Sequence, residues 1–303
     1  MDKQFMIDEI KRLKKEKNVV ILAHYYQYPE VQDIADFVGD SLLLSRKAAE
    51  TEADIILFCG VHFMAETAKI LSPDKKVLLP DLNAGCPMAD CVTFEALKQY
   101  KDKNPDTKVV CYVNSTAAVK SLSHICVTST NAKKIASSLV GEKLLYVPDY
   151  NLGNYLNKQL PGLNMDLWPG HCCIHNDLFP GDVIALKEKY PNAKFVVHPE
   201  ANEEVVAMGD FVGSTQQLLN YTVESDATEF IVGTEKGILH EMQKRSPEKN
   251  FYILTEDLRC RTMKMITLEK VYESIRDEKF EIEVEADIAK KANQALTRML
   301  ELS

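Results

Sequence analysis

The stretch Asn83-Ala-Gly-Cys86-Pro-Met-Ala-Asp90 decides how this chain is read, because Cys86 opens a series. The next loop cysteine stands in Gly170-His171-Cys172-Cys173, and the one after it in Asp257-Leu258-Arg259-Cys260. Their separations, 172 − 86 = 86 and 260 − 172 = 88 residues, are nearly equal. Each cysteine follows an apolar or mixed run and sits among polar, Gly- or Pro-containing residues. Three loop cysteines at one period predict a threefold internal repeat whose units converge on a shared centre.

Three further landmarks keep the same register. His24, Asn114 and His198 end the first strand of each unit. Ser41, Ser129 and Ser214 close the runs Asp36-Phe-Val-Gly-Asp-Ser41, Cys126-Val-Thr-Ser129 and Asp210-Phe-Val-Gly-Ser214; their spacings are 129 − 41 = 88 and 214 − 129 = 85. Leu57-Phe-Cys-Gly60, Tyr146-Val-Pro-Asp149 and Ile231-Val-Gly233 each lead into a helix-like segment. Unbroken apolar runs at 19–23, 55–58, 77–79, 109–113, 144–147, 195–197, 230–232 and 252–254 suit strands buried on both faces of a parallel sheet. Helical patterns at 41–50, 64–71, 131–139 and 238–244 lie between them, which makes the chain α/β. The expected architecture is three repeated small parallel-sheet α/β domains around a pseudo-threefold axis. The units span 1–86, 87–172 and 173–260. A first helix at 2–17 and C-terminal helices at 268–275 and 288–300, within 261–303, are expected to pack together on the first unit.

With 303 residues, 46% of them hydrophobic, the chain can bury a sizeable core. A net charge of −9 argues against a nucleic-acid surface. No apolar run reaches the length of a membrane span, and Met1-Asp2-Lys3-Gln4 does not begin a signal peptide. Eight cysteines without a disulfide-scaffold pattern predict a reducing, cytoplasmic compartment. There is no GxGxxG and no Walker A loop, and the zinc-protease pattern that His240-Glu241 begins fails at Lys244.

Ligands of open α/β sheets bind beyond the carboxyl ends of the strands. Here those ends carry His24-Tyr25-Tyr26, Tyr112-Val-Asn114-Ser115, Thr128-Ser129, Asp149-Tyr150-Asn151, His198-Pro-Glu200, Ser214-Thr215 and Thr234-Glu235. Ser41, Ser129 and Ser214 fall where a strand hands over to a helix, where free N–H groups attract phosphates and carboxylates. A serine there also serves as an N-cap; three at matching positions beside histidines and tyrosines favour an anion pocket. Cys59, Cys111 and Cys126 lie in apolar runs and read as core. Cys172 and Cys173 compete for one place in the series. Three convergent thiolates suit zinc or an iron–sulfur cluster, but no CxxC pair supports structural zinc. A cubane with three protein cysteines leaves one iron free to bind a substrate oxygen as a Lewis acid, and dehydration is its natural use.

These residues fall into motifs that resemble the quinolinate synthase family, the iron–sulfur enzymes of NAD biosynthesis. The likeness runs through Leu22-Ala-His-Tyr-Tyr-Gln27, Gly39-Asp-Ser41, Phe63-Met-Ala-Glu-Thr-Ala-Lys69, Cys86-Pro-Met-Ala, Tyr112-Val-Asn-Ser-Thr116, Gly170-His-Cys172, His198-Pro-Glu200, Gly213-Ser-Thr215 and Gly233-Thr-Glu235. It implies a [4Fe–4S] cluster on Cys86, Cys172 and Cys260, and so selects Cys172 over Cys173. It implies condensation of iminoaspartate with dihydroxyacetone phosphate, with loss of phosphate and water. Iminoaspartate would come from an aspartate-oxidising enzyme. Glu200, Tyr26, Tyr112 and His198 are the candidate acid–base residues, with Glu200 the preferred base. His24 and Asn114 would orient substrate, and Ser41, Ser129, Ser214 and Thr215 would hold its anionic groups. Other readings of the cysteine pattern are an aconitase-type hydro-lyase, a non-catalytic iron–sulfur sensor and a zinc-stabilised binding protein.

Overall fold

A computed structural model describes residues 2–303. Its chain runs three times through one pattern. The first pass is α1 (Lys3–Glu16), β1 (Val19–His24), α2 (Pro29–Ile34), β2 (Phe37–Gly39), α3 (Ser41–Glu50), β3 (Ile55–Cys59), α4 (His62–Leu71) and β4 (Lys76–Leu78). The second is α5 (Phe94–Lys103), β5 (Lys108–Tyr112), α6 (Ala117–Ser121), β6 (Ile125–Val127), α7 (Ala132–Ser137), β7 (Leu144–Val147), α8 (Tyr150–Gln159) and β8 (Met165–Leu167). The third is α9 (Pro180–Lys189), β9 (Lys194–Val197), α10 (Glu203–Val206), β10 (Phe211–Val212), α11 (Thr215–Glu224), β11 (Glu229–Gly233), α12 (Ile238–Arg245) and β12 (Asn250–Ile253). Two helices, α13 (Leu268–Asp277) and α14 (Ala286–Leu302), close the chain.

Each pass builds one four-stranded parallel sheet, in the orders β2-β1-β3-β4, β6-β5-β7-β8 and β10-β9-β11-β12. The first strand of a unit lies inside its sheet and the second lies at an edge. Strand order therefore reverses between the first and third strands, which is where an open α/β sheet leaves a crevice at its carboxyl end. The central strands are apolar throughout because helices cover both faces: β1, β3 and β7 are buried at every position.

The C-terminal helices do not stay together on the first unit. Helix α13 packs on α1, α2 and β3, but α14 lies mainly against α6 and β6 of the second unit, touching the first through α4. Its buried stripe Ala292, Ala295, Leu296 and Met299 joins the shared core. Arg298 Nη1 then donates to the carbonyl of His124, and Asn131 Nδ2 to Ser303 Oγ at 2.7 Å. Units one and two, with α13 and α14, share one continuous apolar core; the third unit holds two smaller clusters, one of which Tyr25 of the first unit joins.

Candidate active site

The three period-setting cysteines come out of loops that follow the fourth strand of each unit, and each starts a single helical turn. The carbonyl of Cys86 accepts from Asp90 N–H at 3.2 Å, that of Cys172 from Asn176 at 2.9 Å, and that of Cys260 from Lys264 at 3.1 Å. The cysteine thus occupies an N-cap position, and its sulfur faces the free N–H groups of the turn. Met88 and Ala89 direct N–H at Cys86, Ile174 and His175 at Cys172, and Thr262 and Met263 at Cys260. Pro87 suits the first position of such a turn. Burial pushes all three thiols up, and these N–H pairs pull the other way. None of the three is in a disulfide, and all line one cavity.

The loops are tied to the sheets by an equally regular device. The N–H of His62, Tyr150 and Lys236 donates to the carbonyl two residues before each cysteine: Ala84 at 2.7 Å, Gly170 at 2.7 Å and Leu258 at 2.9 Å. A Cβ on Gly170 would meet Pro148 O at 2.6 Å and Cys91 Cβ at 2.7 Å, so only glycine permits this approach. In the second and third units the preceding residue is a buried carboxylate. Asp149 accepts the N–H of Cys172 at 3.2 Å and that of Leu152 at 2.7 Å; Glu235 accepts Cys260 N–H at 3.2 Å and Gly237 N–H at 2.6 Å. The first unit has Val61 in that place. Burial raises both carboxylates, the charge of Glu200 adding to it at Asp149 and Lys264, 3.3 Å from Glu235, opposing it there.

Facing the cysteines, Glu200 holds the centre of a hydrogen-bonded group. Tyr112 donates its hydroxyl to Glu200 Oε1 at 2.6 Å, and His175 Nδ1 lies 2.8 Å from Oε2. His175 Nε2 meets Thr234 Oγ1 at 2.9 Å, which meets the Tyr26 hydroxyl at 2.7 Å, and Tyr26 reaches Thr215 Oγ1 at 2.8 Å. Burial alone would raise Glu200, but His198, His175 and the Tyr112 hydroxyl outweigh it and hold the carboxyl below the ordinary range. An ionised Glu200 only accepts, so His175 directs an Nδ1–H at it. Burial lowers His198 to about 4 and His24 to about 3, against the opposing pull of Glu200, so both are neutral at pH 7. Burial, with Glu200 nearby, raises Tyr112 and Tyr26, which keep their protons.

His24, Tyr26, Ser41, Tyr112, Asn114, Ser129, His198, Glu200 and Thr215 all line the cavity with the three cysteines. Ser41 and Thr215 are the first residues of α3 and α11, and Asn114 Oδ1 and Thr128 Oγ1 are buried polar atoms without a protein partner. Ser214 is elsewhere. Its hydroxyl accepts from Gln217 N–H in a capping box and from Thr130 Oγ1 at 2.7 Å, and it is not among the lining residues. Among the described residues, no lysine or arginine lines the cavity. Anionic groups there must be met by hydroxyls, amides and helix N-termini.

The match to known proteins extends over the same ground. The profile of the quinolinate synthetase A protein family (NadA) fits residues 8–301. The quinolinate synthase of Alkaliphilus metalliredigens is 51% identical over 302 residues, covering 100% of both chains. Those of Methanosarcina barkeri (49% identical; 99% of this chain, 98% of that one) and Aquifex aeolicus (50%; 97% and 93%) match similarly. The chain belongs to the quinolinate synthase family. It is an enzyme, and its substrates are small molecules.

Within this quinolinate synthase fold, reading along the sequence missed His175. It has no counterpart in the other repeats, where Ala89 and Met263 stand three residues past the cysteine. The available signal was local: Cys172 and His175 are three residues apart, which one helical turn sets side by side. Thr128 and Thr234 stand among the strand-end residues read from the sequence but gain no role there, because a threonine at a strand end carries no mark of its own. Among the described residues, no helix is long and apolar enough to cross a membrane.

Proposed function

We propose that this chain condenses iminoaspartate with dihydroxyacetone phosphate to quinolinate, a step of NAD biosynthesis, with a [4Fe–4S] cluster on Cys86, Cys172 and Cys260. The observation that carries the reading is the meeting of one cysteine from each repeat with Glu200 in a single cavity. The thiols fit such a cluster: each is free, each comes from an equivalent turn, and each sulfur faces two N–H groups that favour its anionic form. When bound, the cluster would supply an iron without a protein ligand, a Lewis acid for substrate oxygen.

The chain's own groups do the rest. Glu200, ionised and fixed by Tyr112 and His175, is the base that removes protons from carbon during enolisation and condensation. Tyr112 and Tyr26, protonated at neutral pH, return protons to oxygen. Neutral His198 and His24 and the unpartnered Asn114 Oδ1 orient the substrate. Ser41 and Thr215, at the starts of α3 and α11, and Ser129 receive carboxylate and phosphate. Ser214 contributes by fixing the start of α11 behind Thr215.

The test is anaerobic purification, counting of iron and sulfide, and assay of quinolinate from the two substrates. Cys86→Ala, Cys172→Ala and Cys260→Ala should each lose the cluster, while Cys91→Ala and Cys173→Ala keep it. A brown protein that dehydrates citrate-like acids and makes no quinolinate would overturn the proposal, as would a colourless one.

A further inference from the structure

Cys172, His175 and Glu200 form a triangle that a three-cysteine ligand set does not use as a unit. His175 Nδ1 lies 3.3 Å from Cys172 Sγ and 2.8 Å from Glu200 Oε2, and one donor atom of each falls within 4.8 Å of the others. A thiolate, an imidazole nitrogen and a carboxylate oxygen make the three-ligand set of an open tetrahedral zinc site. Metal–ligand bonds of about 2.0–2.3 Å put neighbouring ligands about 3.3–3.7 Å apart. The sulfur and nitrogen therefore already stand at the right separation, and the nitrogen and carboxylate oxygen need to part by only about 0.5 Å.

The surroundings are those of a metal site too. Ligating histidines and carboxylates are held by outer partners that fix tautomer and orientation. His175 Nε2 is on Thr234 Oγ1 at 2.9 Å, Glu200 Oε1 is taken by the Tyr112 hydroxyl at 2.6 Å, and Cys172 N–H is on Asp149 at 3.2 Å. His175 and Glu200 are buried, so little solvent competes for the ion.

We infer that the triangle is a mononuclear site for a zinc-like divalent ion in the chain that lacks its cluster, and that this ion and the cluster exclude each other by sharing Cys172. The second clause rests on the cluster assignment above; the first does not. On binding, the Cys172 thiol releases one proton as its sulfur bonds the ion. The imidazole binds the ion through Nδ1 and holds its proton on Nε2, from which it donates a hydrogen bond to Thr234 Oγ1.

The probe is cobalt(II), titrated into the reduced, full-length chain purified without iron. The expected result is one equivalent, with a sulfur-to-cobalt charge-transfer band and intense tetrahedral d–d bands. Cys86→Ala and Cys260→Ala should keep both features. Cys172→Ala and His175→Ala should weaken binding on the order of a hundredfold, and Thr234→Val about tenfold. Far-UV dichroism and a cooperative melt check each variant; Glu200→Gln, which keeps its shape, replaces any that fails. Absence of the band overturns the site. So does a Cys86→Ala loss as large as that of Cys172→Ala, or cobalt binding untouched by both His175→Ala and Glu200→Gln. Zinc-loaded chain given ferrous iron and sulfide should build at least about tenfold less cluster than the metal-free chain. Full cluster assembly with zinc still bound refutes the exclusion. A chain that binds cobalt but never builds a cluster sinks the proposed function instead, and the two failures are told apart.

Discussion

Between the first and second units, side chains of both sheets and of α14 belong to one apolar core. Around the third unit the contacts are of another kind. Besides Tyr25, Tyr26 and Val38, which pack on a third-unit cluster, they are mostly hydroxyls, amides and charges: Tyr112 on Glu200, Tyr26 on Thr215 and Thr234, Gln32 on the carbonyl of Gly237, Asn151 on that of Glu200, and Lys264 on Glu235. Three units of one design are therefore joined by two kinds of seam. The dry seam carries stability, because apolar area removed from water is the main favourable term. The polar seam lines the cavity to which the proposed chemistry is assigned, and its groups are free to serve a ligand as well as each other.

The comparison can be broken first at Glu200. Glu200→Gln should lower the rate of quinolinate formation about a thousandfold, in the range for loss of a positioned base, with a much smaller change in unfolding free energy. Assay and urea unfolding of the same preparation decide it; a stability loss matching that of a core truncation would erase the distinction between seams. The converse change is Leu296→Ala, in the buried stripe of α14. It should cost about 2–5 kcal/mol of stability and leave the rate per folded molecule near the parent's. A rate loss without destabilisation would mean that the dry seam also serves the reaction.

The smallest effect sharpens the contrast between repeats. His24 and His198 have folded values near 3 and 4, below the ordinary 6.5, whereas Asn114 at the matching place does not titrate. Between those values and 6.5 the unfolded chain binds more protons, so stability falls as pH falls. The loss from pH 7 to pH 5.5 should be about 1 kcal/mol per histidine. His198→Asn, which copies the second unit, should remove one such share from the pH slope of urea unfolding. An unchanged slope would place the acid sensitivity elsewhere.

The sequence made the repeat legible because its landmarks sit at strand ends and loops, where spacing survives. It made the central strands legible because they are apolar on both faces. The short edge strands β2, β6 and β10 were legible only as the strand ends before Ser41, Ser129 and Ser214, and β8 beyond β7 went unread: two or three residues, some half exposed, give no run to detect. The place of α14 was hidden for a different reason. An amphipathic stripe shows that a helix packs, but not on which of two similar sheets. Ser214 could have been read better, since Ser214-Thr-Gln-Gln217 carries the capping-box spacing that commits the hydroxyl to the backbone. The hydrogen-bonded group around Glu200 was visible only in part, because His175 belongs to one repeat alone.

The single turn that follows each cysteine has a consequence for how these loops come to exist. Backbone hydrogen bonds already fix their course, so the sulfur is an ornament on a shape that a hydroxyl would cap equally well. Serine exchanged for any of the three should thus leave an intact hollow stripped of its soft donor, which separates architecture from metallochemistry at a single atom.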